Sequence, residues 1–302
     1  MLNEKDAYAV SFWGEIMADE EPLREEKFPL VEVQTALARR VIARHLAPGM
    51  RILDAGAGAG RYSLPLAAQG HRVTHLDVSE AMLSRAMTEA ARQGLSTIEF
   101  RTGDVTRLEG LKDRAYDLTL CLDAPISYAY PHHGQAIDEV CRVTRDVLVL
   151  MVSSRSGVLP FMMDLDLAGE MVPPELAGKF DPFLMTQAIL DQGVERPPAE
   201  VEAWQEREGK KTPPDYAFTV EELTAAVRAN GFRVETLGGP GALARSIKPE
   251  SLTKVRSDPV LWERFLEFSL AFDFQPHNLG LGAVNLLLVA RRAPAKRRGR
   301  KI

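Results

Sequence analysis

Apolar residues follow two alternating rhythms along this chain. Short runs rich in β-branched and aliphatic residues read as strands: RILDAG from residue 51, HRVTHLD from 71, IEF from 98, AYDLTLCLD from 115 and DVLVLMVSS from 146. Between them, segments at about 60–69, 79–93 and 134–144 carry apolar residues at helical spacing, and Ser79 caps the second of these. Residues 5–46 read as helices, AYAVSFWGEIM and then VEVQTALARRVIARHL, and Pro48-Gly49 closes them and opens the first strand. Strand and helix signals that alternate in this way predict an α/β fold, a parallel sheet with helices on both faces.

The alternation stops at Arg155. Residues 155–216 are punctuated by Pro160, Pro173-Pro174, Pro197-Pro198 and Pro213-Pro214, around short helical pieces such as DPFLMTQAILDQG. The segment is too apolar for a free linker and reads as a helical insert. The core resumes at residue 217. Thr219 with Glu222 forms a capping-box pattern, Asn230-Gly231 ends that helix, and FRVETL is a strand. A second helical insert at 245–278 precedes the last strand, LGAVNLLLVARR, which runs to residue 291 before a basic tail, 292–302.

The chemistry concentrates at RILDAGAGAG. Asp54 ends an apolar run, and Gly56, Gly58 and Gly60 follow at alternate positions before a helix. Such a turn lets a ligand approach the backbone closely, and the helix start offers unpaired N–H donors. The dinucleotide fingerprint G-x-G-x-x-G would need glycine where Arg61 stands, which counts against an NAD-dependent oxidoreductase. A carboxylate at Asp54 would repel a pyrophosphate and attract an amino-acid ammonium. Three more strands then deliver polar groups at their C-terminal ends: Asp77, 19 residues after Gly58, then Asp104 with Val105, then Asp123 and Tyr128.

On these residues the stretch from about 45 to 155 resembles the class I S-adenosylmethionine-dependent methyltransferases. The resemblance implies a Rossmann-like, seven-stranded, mostly parallel sheet, its sixth and seventh strands at 232–238 and 283–291 and the seventh antiparallel. It implies S-adenosylmethionine as cofactor and S-adenosylhomocysteine as product, with 49–154 as the cofactor-binding core. Asp54 and Gly56 would hold the methionine ammonium and carboxylate, with Gly58 and Gly60 allowing close approach. Asp77 would accept the ribose hydroxyls, and Val78 and Met82 would pack on the adenine. Asp104 would accept the adenine amino group beside the Val105 amide, and Cys121 and Leu122 would meet the methionine portion through their backbone.

The acceptor side is expected in the loop DAPISYAYPHHG, where Tyr128, His132 and His133 are the catalytic candidates, histidine because it titrates near neutrality. Tyr8, Phe12 and Trp13 are candidates to fold over the cofactor or to pack in the core. The two inserts, rich in Phe and Met (Phe161, Met162, Met163, Phe183, Leu184, Met185, then Phe265, Phe268, Phe272 and Phe274), are expected to pack together as a substrate lid over a small, partly apolar acceptor, or else to form a dimer face.

Composition narrows the alternatives. Two cysteines, both in predicted core elements, speak against a disulfide framework and for a reducing cytoplasm. No run is apolar enough to span a bilayer, the N-terminus lacks a signal-peptide pattern, and six scattered histidines give no metal-ligand spacing. The net charge is −5, but RRAPAKRRGRKI carries seven Lys and Arg and no acid, leaving residues 1–290 at −12. An acidic body argues against a broad nucleic-acid surface, and the tail reads as disordered. The expectation is a small-molecule methyltransferase, monomeric or homodimeric. The alternatives are an RNA methyltransferase using the tail as an arm and a non-catalytic cofactor-binding relative.

Overall fold

The computed structural model describes residues 12, 17, 20–176, 178–209, 211–279 and 283–294. Tyr8 and Trp13, the expected helix around them and the tail beyond residue 294 lie outside the described residues. Seven strands form one sheet: β1 Arg51–Ala55, β2 Arg72–Asp77, β3 Ile98–Thr102, β4 Tyr116–Cys121, β5 Thr144–Ser153, β6 Phe232–Gly238 and β7 Asn285–Arg292. Their order is β3-β2-β1-β4-β5-β7-β6, and β7 runs antiparallel to both of its neighbours. The expected Rossmann-like architecture is therefore the observed one. Arg292, expected to open the tail, instead ends β7: its guanidinium donates to the Cys141 and Thr144 carbonyls and lies over the Phe232 ring.

Period-two side-chain alternation explains why the central strands read as continuous apolar runs. In β5, Leu148, Leu150 and Val152 enter one buried cluster while Val147, Val149 and Met151 enter the other. In β7, Leu286 and Leu288 face the first layer, and Leu287 and Val289 the second. The first face is covered by the helices His133–Val143 and Val220–Ala229 through Ile137, Val140, Leu223 and Val227. The second is covered by Pro29–Ala43 through Ala38, Val41 and Ile42, with Tyr62 and Leu66. Local signals hold at the helix starts. Ser79 Oγ accepts from the Met82 N–H at 3.3 Å, and Thr219 and Glu222 form the reciprocal capping box at 2.8 and 3.1 Å.

The inserts form two separate bodies, not the single layer expected. Helices Arg155–Leu167, Leu184–Gln192 and Ala199–Arg207 enclose a small core of Val158, Met162, Met185, Ile189 and Val201. Helices Pro249–Arg256 and Pro259–Asp273 instead join Pro29–Ala43 through Val33, Leu37, Leu252, Phe265 and Leu266. The physical reason is that each helical segment has to bury its own apolar stripe, and each finds a different partner. Phe161, Met163, Phe183 and Phe268 are left exposed. No helix among the described residues is long and apolar enough to cross a membrane.

Candidate active site

The parallel strands deliver their loops to one edge of the sheet, where a cavity of about 400 Å³ opens, within the range of small-ligand sites. The glycine turn after β1 forms its floor. The Gly56 and Ala57 N–H groups both donate to the Leu76 carbonyl, at 2.8 and 3.0 Å, which locks the turn onto β2. Gly56, Gly58 and Gly60 all have positive φ (76°, 54° and 95°), which favours glycine. Their surroundings differ. A Cβ on Gly56 would lie 2.4 Å from Pro125 Cγ and one on Gly60 2.6 Å from Leu64 Cγ, whereas one on Gly58 would meet nothing within 4 Å. Two of these glycines thus permit packing, and Gly58 leaves its space to the cavity.

Three carboxylates surround that turn. Asp54, only 1% exposed, has one oxygen, Oδ2, with no hydrogen-bond partner. Burial, then the charges of Asp123 and Asp77, push its pKa up to about 7. Asp77 is anchored from both sides, Oδ2 accepting from the Gly58 N–H at 2.7 Å and Oδ1 from the Ser79 N–H at 2.8 Å. Burial raises its pKa as well. Asp104 accepts from the Thr106 N–H at 2.7 Å in a local turn. Val78, Met82, Asp104, Val105 and Leu122 line the cavity, so the structure brings most of the expected cofactor residues together. Asp54 and Cys121 stand behind that lining, fully buried, and burial holds the Cys121 thiol far above its usual range.

On the acceptor side the structure separates the candidates. Tyr128, in a short helix Pro125–Tyr128, lines the cavity, its phenol pushed up by burial and by the charge of Asp215. His132 and His133 do not reach it. His132 precedes the helix His133–Val143, and the His133 ring stacks on Tyr216 at 4.0 Å and meets Phe218 edge-on at 5.5 Å. An imidazole on a helix start beside aromatic neighbours gains more from packing than from water, and burial lowers its pKa. Among the described residues, the inserts contribute none of the cavity's lining.

Sequence reasoning missed Arg61. Its guanidinium, 10% exposed, pairs with Asp123 at 2.5 Å, Glu21 at 2.8 Å and Glu25 at 3.1 Å, tying the segment before Pro29 across the cavity mouth. Glu21, Arg24 and Glu25 line the cavity there. A signal existed, since Arg61 directly follows the last glycine of the turn. Its partners lie far away in sequence, however, and no local pattern announces them.

The donor set fits S-adenosylmethionine. An orphaned carboxylate oxygen behind a glycine turn suits an ammonium, and an open Gly58 suits close approach of a ligand. Residues 52–146 match the model of a methyltransferase domain family. A ubiquinone biosynthesis O-methyltransferase of Maricaulis maris is 37% identical over 84 residues, 28% of this chain and 33% of the relative. A tRNA 5-carboxymethoxyuridine methyltransferase of Escherichia coli is 28% identical over 177 residues, 56% of this chain and 63% of the relative. The chain thus spans between about a third and two thirds of the length of these curated relatives. The magnesium protoporphyrin IX methyltransferase of Synechocystis, solved with bound S-adenosylmethionine, shares the fold at a TM-score of 0.51 and 17% identity, covering 97% of this chain and 99% of its own. Residues 52–146 thus match a methyltransferase domain, the sheet has the fold of S-adenosylmethionine-dependent methyltransferases, and S-adenosylmethionine is the cofactor expected of such a domain.

Proposed function

We propose that this protein transfers the methyl group of S-adenosylmethionine to a small, partly apolar acceptor, releasing S-adenosylhomocysteine. When bound, the cofactor supplies a methyl group already activated by a positively charged sulfur. The chain's own task is then to bind and align. Asp54, with Gly56, would hold the methionine ammonium and carboxylate, and Gly58 and Gly60 would let the backbone approach. Asp77 would take the ribose hydroxyls with its remaining lone pairs. Val78 and Met82 would flank the adenine, Asp104 and the Val105 amide would meet its polar edge, and the Cys121 and Leu122 backbone would border the methionine portion. Tyr128 would stand at the acceptor side. Orientation alone can supply several kcal/mol, up to roughly 7–11 in favourable cases, so catalysis needs a general base only for an acceptor that starts protonated.

The observation that carries this reading is the orphaned Asp54 oxygen behind the glycine turn, an arrangement that suits an ammonium and repels a pyrophosphate. Calorimetry with S-adenosylhomocysteine and with NADH tests it. The expected result is binding of the first only, and weaker binding in Asp77→Ala, which loses charge-assisted bonds worth on the order of 1.5–3 kcal/mol each. Tight NADH binding without S-adenosylhomocysteine binding overturns it. A small acceptor is supported by the acidic body and the small cavity, and the Maricaulis relative is named for a small-molecule substrate. The longer match to a tRNA methyltransferase favours RNA as a second reading. Salt-dependent RNA binding that disappears on deleting the tail beyond residue 294, which leaves β7 whole, would select it.

A further inference from the structure

A second cavity, of about 800 Å³, lies where the strands begin, at the opposite end of β1 and β2 from the glycine turn. Arg51, the first residue of β1, and Arg72, the first residue of β2, stand side by side in register. Period-two alternation puts both on the first face of the sheet. Arg72 alternates with Val73, which enters the second cluster, and the Arg51 guanidinium lies over the Tyr116 ring at 5.9 Å. Tyr116 belongs to the first cluster, and its hydroxyl donates to Thr74 Oγ1 at 3.2 Å. The loop before β4 forms the far wall through Gly110, Leu111, Lys112 and Asp113. Arg142 fixes that loop, donating to the Leu111 carbonyl at 2.8 Å and to Asp113 Oδ1 at 2.9 Å, while the Arg114 N–H donates to the Arg142 carbonyl at 2.9 Å.

Four cations line this space, Arg51, Arg72, Arg101 and Lys112, against two carboxylates, Glu99 and Asp113. Both carboxylates are already engaged, Glu99 with Arg101 at 2.8 Å and Asp113 with Arg142. The nearby Asp117 is engaged as well: it accepts from the Arg51 backbone N–H at 2.9 Å and pairs with Arg145. Arg51, Arg72 and Lys112 are exposed, and among the described residues they form no ion pair. Like charges carried in register on strands about 4.8 Å apart repel one another, and an anion held between them relieves that repulsion. This unpaired positive charge sits in a body that carries −12 over residues 1–290.

We propose that this cavity binds the diphosphate group of a small molecule, at a site separate from the cofactor cavity and independent of the methyl-transfer reading. A guanidinium fork engages two phosphate oxygens at once, so Arg51 and Arg72 each hold one phosphate while Lys112 faces them from the loop as a point charge. Ser96 adds a neutral hydroxyl donor to the lining. A single phosphate engages fewer of the three free cations and binds more weakly. The volume falls in the range of small-molecule sites, and a wall held in place by Arg142 spares the ligand the cost of ordering it. A bounded cavity in an acidic body suits a compact polyanion, whereas a nucleic-acid backbone needs a continuous basic track.

Calorimetry on the full chain with pyrophosphate, ADP and AMP tests this, in low salt without divalent metal and with excess S-adenosylhomocysteine to keep the nucleotides out of the cofactor cavity. Pyrophosphate is expected to bind in the submillimolar range, and ADP at least about tenfold more tightly than AMP. The double variant Arg51→Gln with Arg72→Gln should weaken pyrophosphate and ADP at least about tenfold, and Lys112→Gln about threefold, with S-adenosylhomocysteine affinity unchanged. All three side chains are exposed, and the second variant covers failure of the first to fold. ADP at least as tight as pyrophosphate assigns the site to a nucleotide-like small molecule, and pyrophosphate tighter than ADP assigns it to the free ion; both support it. No binding of pyrophosphate or ADP below the millimolar range, AMP as tight as ADP, or affinities that both variants leave unchanged each overturns the site. So does an RNA of about twelve nucleotides that binds more tightly than ADP through the same residues. Pyrophosphate binding needs no cofactor, so a wild-type chain that fails to bind S-adenosylhomocysteine loses the methyl-transfer reading and keeps this one.

Discussion

Asp54 gives the sharpest test, because its burial makes cofactor binding a proton-linked event. In the unliganded chain its carboxyl is raised from the ordinary 3.8 to about 7, first by burial and then by Asp123 and Asp77. Between those values the folded chain holds a proton that the unfolded chain has released, so unliganded stability falls as pH rises across that window. An ammonium against the orphaned Oδ2 reverses the preference and drives the proton off. At pH 6 the free carboxyl is about nine-tenths protonated and at pH 8 about one-tenth. Binding of S-adenosylhomocysteine should therefore release close to one proton at pH 6 and few at pH 8. Affinity should rise by about tenfold, or about 1.4 kcal/mol, across that span. Calorimetry at both pH values, in two buffers of different ionisation enthalpy, counts the protons directly. Asp54→Asn should flatten the profile. If the wild type releases no proton at pH 6, or the asparagine variant keeps the same pH slope, the assignment of the ammonium to Asp54 is wrong.

Two further substitutions probe the cavity floor and its mouth. Gly56→Ala should destabilise the fold by about 2–4 kcal/mol in a urea melt, combining left-handed strain with the Pro125 clash, while Gly58→Ala, with open space around it, should cost about 1–2 kcal/mol and fall chiefly on S-adenosylhomocysteine affinity; a reversed ranking refutes the division of roles. Arg61→Ala should cost about 1–3 kcal/mol, between an exposed and a buried ion pair, and should speed proteolytic nicking near residues 20–28, so unchanged nicking would show that the Arg61 pairs do not hold that segment down.

The cavity at the sheet edge was legible in the chain because its parts are local. A strand that ends in Asp54 and runs into alternate glycines carries its geometry in about ten residues, and the same holds for Asp77 before the Ser79 cap and for Asp104 in its own turn. The sheet was legible for the same reason, since period-two runs such as DVLVLMVSS mark burial on both faces wherever they sit. That His132 and His133 stand outside the cavity lining was not legible, because an imidazole's task depends on its neighbours. The ring that looked like a base in sequence has Tyr216 against its face, more than 80 residues away.

What the sequence determined by itself was therefore the α/β alternation, the glycine turn and the acids at strand ends, all set by backbone conformation and side-chain period over short spans. Tertiary structure alone decided the rest. It sent one insert to its own core and the other to Pro29–Ala43, it closed Arg61 on Glu21, Glu25 and Asp123, and it tied the Asp215 segment to the turn of Tyr128 through Ser127 and Ser153. In each case the deciding energies are burial and charge pairing between residues remote in the chain, and those depend on which surfaces meet once the sheet has formed.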